Sequence, residues 1–438
     1  MMSRTFKAAQ PLGVRLCHQR LTRPHRILRL RLRSMSCSVR SLAIQPRVFP
    51  TNGFPVLPIE SKFEEERLQG YKAEDYYPVH LGEVFNSRYQ VVAKLGFGTA
   101  STVWLCRDLQ QNVLITLKVC VLGANTSQEV AISHHFRSID HGQHPGIAHL
   151  RVALDQFQVQ SPSGTHQCLV FPALGMNLGQ LRDLFEDRAL DKTLLQRFLL
   201  IILTALDLMH QAGVVHTDLS PNNVLVGADE SVVSKVEIAE LAEPSPRKLL
   251  ADRTIHLSYA MPTSFDPPVI TDFGAARLGE PGQKYSGDVM PAVFRAPEVI
   301  AEMEWDCKID IWSVGVMIWN LLEDGNLFNP VKDDHLNDEF HFAQMISLMG
   351  PPPKAFLERS DRLRRYWDAE GCWIAATPIP DQTLESREMR LKGRDRELLL
   401  ALMRKILRWL PEERPSAEDL FEDAFVIQFT SNKNSPAS

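Results

Sequence analysis

A chain of 438 residues, 44% apolar and 23% charged, can bury at least one large core and has the length of two or three structural units. Its longest apolar run, Phe198 to Leu206, is broken by Thr204 and is too short to cross a bilayer, while its seven scattered cysteines contain no Cys-x-x-Cys pair, arguing against a disulfide framework or zinc site and for a reducing compartment. Met1 to Pro58 hold eleven bases and no acid, so the other 37 bases face all 53 acids, a net of −16; such a body attracts cationic peptides and repels nucleic acid, or is acidic only to stay soluble.

The basic arm, residues 1–58, has the Arg-rich, acid-free, Ser-containing composition of an organellar transit peptide. A disordered arm and an extension outside the folded protein are the alternatives. A β-rich unit follows over 75–173, with runs at Tyr89 to Ala93, Thr102 to Leu105, Val113 to Val121 and Cys168 to Phe171. One helix interrupts them, opening near Ser127 as N-cap and carrying Glu129, Val130 and Ile132. From residue 174 to 430 the pattern is helical. Thr193 to His210 repeats Leu195, Phe198, Leu199, Ile202, Leu206 and Met209 at helical spacing and stops at Gly213. Further helices are expected at Ile309 to Leu322, Glu339 to Met349, Arg396 to Trp409 and Ala417 to Phe421. An insertion at 227–269 holds the loop signal Glu243-Pro244-Ser245-Pro246-Arg247 and no evident chemistry, and 431–438 reads as a disordered tail.

Val214 to Leu225 reads Val-Val-His-Thr-Asp-Leu-Ser-Pro-Asn-Asn-Val-Leu, with Asp218 five residues before Asn223 in a polar loop between apolar runs. Phosphoryl transfer uses that spacing: a carboxylate orients the attacking hydroxyl and the amide oxygen holds a magnesium ion. Asp272-Phe273-Gly274 and Arg295-Ala296-Pro297-Glu298 follow in order; Asp272 with Asn223 makes a pair of oxygen donors suited to Mg2+. Upstream, Leu95-Gly96-Phe97-Gly98-Thr99-Ala100-Ser101-Thr102-Val103 lies between two strand patterns, as a turn covering phosphates does, its glycines letting backbone N–H groups come close to anionic oxygens. Lys118, in Ile115-Thr116-Leu117-Lys118-Val119, supplies a point charge for the phosphates. A lysine in an apolar strand needs a partner, and Glu129 on the next helix is the candidate.

With these residues placed, the chain from about Tyr76 to Phe425 resembles the protein kinase superfamily, and more closely the SR-protein-specific serine/threonine kinases in their fungal form. The finer resemblance rests on Asp75-Tyr76-Tyr77-Pro78-Val79-His80-Leu81-Gly82, Phe85-Asn86-Ser87-Arg88-Tyr89, Ser101-Thr102-Val103-Trp104-Leu105 and His216-Thr217-Asp218. It implies an α+β, bilobal protein kinase-like fold, with a small β-rich N-lobe containing one helix and a large α-helical C-lobe. It also implies ATP and Mg2+ as cofactors and serines of basic, Arg/Ser-rich proteins as substrates. On the same ground the chain is expected to regulate mRNA splicing as a monomer in cytoplasm and nucleus, without direct nucleic-acid or membrane contact; a cleaved arm would instead send it to the mitochondrion.

By resemblance, the nucleotide site takes in Leu95, Gly96, Phe97, Gly98, Thr99, Ala100, Ser101, Val103, Thr116 and Lys118, with Phe171 as gatekeeper and Pro172 to Leu174 facing adenine, the Pro172 carbonyl accepting from the adenine amino group. Asp218, Lys118 and Glu129 are the catalytic set, His216 packs under the loop, and Glu298 is expected to pair with Arg414. Acids docking basic substrates are sought at Asp333, Asp334, Asp338 and Glu339. Thr217 stands where most kinases have arginine, which removes the partner of an activation-loop phosphate. Ser220 and Pro291 replace the lysine at the transferring phosphoryl group and the threonine bracing it. Loss of one such donor costs about 2.7 to 4 kcal/mol, so a pseudokinase serving as a binding scaffold is the alternative. A small-molecule kinase of similar fold is disfavoured by Arg295 to Glu298 and by Asp310-Ile311-Trp312-Ser313-Val314-Gly315, which resemble the substrate platform of protein kinases.

Overall fold

The computed structural model describes residues 44–140, 142–332 and 335–431. An antiparallel six-stranded sheet is built from β1 (Val84–Phe85), β2 (Tyr89–Phe97), β3 (Ser101–Asp108), β4 (Val113–Cys120), β5 (Asp155–Ser161) and β6 (Gly164–Pro172), in the order β1-β2-β3-β4-β6-β5. Alternation along the strands divides its faces. Trp104, Cys106, Leu117 and Val91 pack together on one; the register Val103↔Lys118, Leu105↔Thr116 and Arg107↔Leu114 places those six residues on the other. Edge strand β5 was not expected, because Gln156, Gln158 and Gln160 expose one side of it and leave only a half-buried Phe157 and Val159 as a signal.

Helix α1 (Ser127–Ser138) follows β4. Its cap differs from expectation: Thr126 holds the N-cap position, and Ser127 is instead the residue whose N–H donates to Asn125 Oδ1 at 3.0 Å. The larger lobe begins with α2 (Leu178–Asp183) and α3 (Lys192–Gln211), whose N-cap Asp191 accepts from the N–H of Thr193 at 2.8 Å. By length and composition α3 could cross a membrane, but 61% of its apolar window is buried within the molecule, as in a core helix. Past its C-cap Ala212 comes Gly213, where φ is +71° and a Cβ would lie 1.9 Å from the Gly279 carbonyl oxygen, a place only glycine can take.

After α3 come β7 (Val214–Val215), β8 (Val224–Val226), α4 (Glu230–Ala242), β9 (Arg247–Leu249), β10 (Thr254–His256), β11 (Pro268–Ile270) and β12 (Arg277–Leu278). Then follow α5 (Pro297–Ile300), α6 (Lys308–Leu322), α7 (Asp338–Met349), α8 (Lys354–Leu357), α9 (Leu384–Arg387), α10 (Gly393–Ile406) and α11 (Ala424–Ser431). Helix α10 stops three residues short of the expected Trp409, because the apolar pattern continues into a segment where Trp409 packs in the core and donates to the Gly350 carbonyl at 3.0 Å. The helix expected at Ala417 to Phe421 is a 3-10 turn over Asp419–Glu422, followed by α11.

The insertion, in which the sequence marked only the loop signal at Glu243 to Arg247, carries α4, β9 and β10. Helix α4 packs on β2 and β4, and its Glu237 receives the Arg107 Nε–H at 3.0 Å. The presumed arm also joins this body from residue 44 on: Phe49 is buried in the main core, Arg47 donates its N–H to Gln90 at 2.8 Å, and Leu57 donates to the Arg247 carbonyl at 2.8 Å. Its boundary at residue 58 is therefore corrected to 43 at the latest, and residues 1–43, like the tail beyond 431, lie outside the described residues.

Candidate active site

The loop between β7 and β8 is held from beneath by one buried carboxylate. Asp310, near the start of α6, accepts the N–H of His216 at 2.9 Å, the N–H of Thr217 at 3.0 Å and the His210 ring at 2.9 Å. Thr217 sits at φ +67°, a left-handed conformation that a β-branched residue adopts only when its surroundings enforce it. Its hydroxyl donates to the Ala275 carbonyl at 2.8 Å, tying the loop to the segment after Asp272. His216 is structural, as expected: it is fully buried, reaches the Thr271 carbonyl at 2.9 Å and packs on Phe273, which in turn packs on Phe136 of α1.

Above this loop lies a cleft of about 500 Å³ bounded by both lobes. Lys118 Nζ enters it 2.8 Å from Glu129 and 3.4 Å from Asp272. Burial alone would lower the Lys118 ammonium, but the two carboxylates outweigh it and hold the pKa above the usual lysine value. Burial pushes the Asp272 carboxyl up, but Lys118, His216 and the Gly274 N–H together outweigh it, leaving the group below the ordinary aspartate value and ionised. Asp272 has φ +62° and Phe273 is fully buried, so the carboxylate is turned into the cleft while the phenyl ring anchors the turn. Asn223 donates through its amide nitrogen to the Asp218 carbonyl at 2.7 Å and carboxylate at 2.8 Å, which leaves Oδ1 as the group free to face a cation.

Leu95, Gly96, Phe97, Gly98, Ser101 and Val103 line the roof with Thr116 and Phe171, as the sequence led us to expect. Nothing lies within 4 Å of where a Cβ on Gly96 or Gly98 would stand, so side chains at these positions would occupy space now left open, while the Gly98 N–H closes the turn on the Ser101 carbonyl at 2.8 Å. Thr99 and Ala100, at the turn's tip, are not part of this wall. The Tyr76 hydroxyl steadies the tip, donating to the Gly98 carbonyl at 3.0 Å. Leu174 lines the cleft; Pro172 does not, and its carbonyl already accepts from Arg151 Nε at 3.1 Å and its terminal nitrogen at 2.9 Å. This is the carbonyl expected to accept from adenine, and here Arg151 is its partner. Arg151, whose guanidinium lies 5.0 Å from the Phe171 ring centre, was missed, since nothing in its own segment marks it.

Away from the cleft, Glu298 and Arg414 form a fully buried bidentate pair at 2.6 and 2.7 Å. Of the acids expected to dock basic substrates, the two among the described residues already have partners within the chain. Asp338 is occupied by Arg295 and by Arg362, the latter at 2.6 Å, and Glu339 accepts the Thr377 N–H at 2.6 Å; Asp333 and Asp334 lie outside the described residues. Ser220 is buried at the turn before Asn223, and Pro291 opens the 3-10 turn at Ala292–Phe294.

A β-rich lobe and a helical lobe meeting over a lysine, two aspartates and an asparagine define the class of two-lobed phosphotransferases. The chain belongs to the protein kinase family, with residues 89–426 matching the family model described as a protein kinase domain. A serine/threonine protein kinase of Aspergillus fumigatus is 40% identical over 390 residues, covering 87% of this chain and 95% of the relative. The serine/threonine-protein kinase SRPK of Physarum polycephalum is 30% identical over 392 residues, 83% of this chain and 91% of its own. Protein kinase dsk1 of Schizosaccharomyces pombe is 27% identical over 408 residues, covering 71% of this chain and 75% of that protein. A solved kinase domain shares the fold with a TM-score of 0.63, covering 80% of this chain and 99% of its own at 22% identity. The chain is thus a serine/threonine protein kinase, a family that uses ATP and a divalent metal.

Proposed function

We propose that the protein transfers the γ-phosphoryl group of ATP, with Mg2+, to serines of basic, Arg/Ser-rich proteins. The observation that carries the reading is the convergence on one cleft of Lys118 paired to Glu129, Asp272 turned inward, and Asn223 with its amide oxygen left free beside Asp218. Both the lysine–glutamate pair and the inward aspartate are required for a kinase to be active.

The donor set fits the metal. A carboxylate and an amide oxygen are hard ligands, and Mg2+ takes one or two protein oxygens and completes its shell with water and substrate phosphates. Asp272 and Asn223 would hold it, and it would supply neutralisation of the charge developing on the phosphate oxygens. Lys118 is kept protonated by its two acidic neighbours and so offers a fixed positive charge to the nucleotide. Asp218 orients the acceptor hydroxyl and takes its proton, while the missing side chains at Gly96 and Gly98 leave open space beside the turn that a nucleotide can enter. The basic substrate class is supported by the resemblance around Asp75 to Gly82, by the similarity to the kinase named SRPK, and by the net charge of −16 beyond Pro58.

The test is phosphate transfer by the purified full chain with Mg-ATP to an Arg/Ser-rich peptide and to an acidic control. The expected outcome is transfer to the basic peptide only, lowered about 100- to 10,000-fold by Asp218→Asn, the usual weight of a positioned acid–base group. Nucleotide binding without transfer in the unsubstituted chain would favour the scaffold reading that Ser220 and Pro291 motivate.

A further inference from the structure

We propose that the insertion between β8 and β11 is the front wall of the nucleotide cleft, with Tyr259 and Met261 contacting the nucleotide; this rests on the cleft being the ATP site. The sheet face that roofs the cleft continues from Val103 and Lys118, through Leu105 and Thr116, to Arg107 and Leu114. Its far end is covered by the insertion rather than by solvent: Val233 and Val236 of α4 are buried in the same core as Leu105 and Leu114, and Glu237 holds Arg107.

From β10 the chain then turns across the mouth of the cleft. Leu257 donates its N–H to the Pro246 carbonyl at 3.2 Å, the Ser258 hydroxyl donates to Glu64, and the Tyr259 N–H donates to the Lys94 carbonyl at 2.7 Å. That last bond fixes the strap to β2 one residue before Leu95, where the roof of the cleft begins. At the other end, Gly227 donates to the Pro267 carbonyl at 3.0 Å and Pro268 pairs with Val226, next to the floor residue Leu225. The strap therefore joins roof to floor, and Ser258, Tyr259 and Met261 bound the same cavity as Lys118 and Asp272.

Tyr259 is half-buried and Met261 is 8% exposed. An aromatic ring and a thioether offer flat, polarisable contact of the kind a purine and its ribose accept, and neither has a charge to offer phosphates. The insertion thereby becomes a determinant of nucleotide affinity and not only a cover for the sheet.

The experiment is isothermal titration of the full chain with Mg-ATP and Mg-ADP, with thermal denaturation alongside. Tyr259→Ala and Met261→Ala are each expected to weaken both nucleotides at least fivefold, whereas Ile238→Ala, on the exposed side of α4, leaves the dissociation constants unchanged. Variants that are folded and bind within twofold of the unsubstituted chain overturn the inference. A second arm needs no substitution: photolabelling the unsubstituted chain with 2-azido-ADP should mark a peptide containing Ser258 to Met261, and label confined to the segments around Leu95 and Leu174 overturns the inference too. If the unsubstituted chain binds no nucleotide in the titration, it is the ATP reading of the cleft that fails, and this inference with it.

Discussion

Arg414 uses all five of its donors. Two go to Glu298, at 2.6 and 2.7 Å, one to the Lys308 carbonyl at 3.1 Å and two to the Arg408 carbonyl at 3.1 and 3.0 Å, while the guanidinium lies 5.1 Å from the Trp312 ring centre. Lysine cannot reproduce a planar fork with this many bonds. Arg414→Ala leaves Glu298 buried and uncompensated and is expected to cost about 3 to 5 kcal/mol in denaturant unfolding; a loss below about 1 kcal/mol would show that the pair is dispensable. Glu323 presents the opposite case. Burial, reinforced by the neighbouring Glu388, raises its carboxyl to about 7, and its Oε1 has no hydrogen-bond partner among the described residues. A raised folded-state pKa means a contribution that is complete below the unfolded value and lost as pH rises through 7, at about 1.4 kcal/mol per unit of difference. Glu323→Gln is therefore expected to raise the melting temperature by a few degrees at pH 8 and to leave it unchanged near pH 4. Melting curves at the two pH values check this, and equal shifts at both would refute it.

Elements whose chemistry is fixed by short-range spacing were legible in the sequence, and those defined by distant partners were not. Asp218 and Asn223 are five residues apart in a loop and their relation survives folding; Lys118 and Glu129 flank one strand–helix junction. Arg151 gains meaning only when β6 brings Phe171 and Pro172 beside it. Helix α4 was hidden for a stranger reason. Its buried side carries Glu237 and Glu240, which meet Arg107 and Arg247, while Ile238 is 61% exposed, so the hydrophobic periodicity that reveals an amphipathic helix is inverted at three positions. The activation segment carries its own prediction. Tyr285 and Trp305 exchange backbone bonds at 2.8 Å and stack, Trp305 donates to the Gly287 carbonyl at 3.0 Å, and β12 pairs with β7. The segment is thus already held in place by these contacts and by the Lys284–Asp306 ion pair at 2.5 Å, and Thr217 offers no cation to a phosphate. Ser286→Glu, at an exposed position in that segment, is expected to change kcat by less than about twofold, against the 1 to 3 new charge-assisted bonds that a phosphate facing an arginine cluster would create. A many-fold rise in turnover would sink this reading.

At the scale of the whole molecule, charge and connection act together. The lobes are joined not only through Leu174 but also through the segment from residue 44, the insertion and the strap: Lys248 meets Glu66 at 2.8 Å, and Lys94 is enclosed by Glu64 and Glu65. Many of these ions are buried and paired, so salt screens them weakly; the excess acid beyond Pro58, −16 in all, acts outward on whatever approaches. Long-range attraction of a cationic peptide by such a body decays over a Debye length of about 10 Å at 0.1 M salt and about 3 Å at 1 M. Raising salt over that range is therefore expected to increase KM for an Arg/Ser-rich peptide several-fold while kcat holds, because the cleft contacts of Lys118, Asp272 and Asn223 lie at short range. Steady-state kinetics with the basic peptide at several ionic strengths decides the matter. A KM independent of salt would mean that the acidity only keeps the chain in solution, and that a basic substrate is selected by local contacts at the cleft rather than by the field of the molecule.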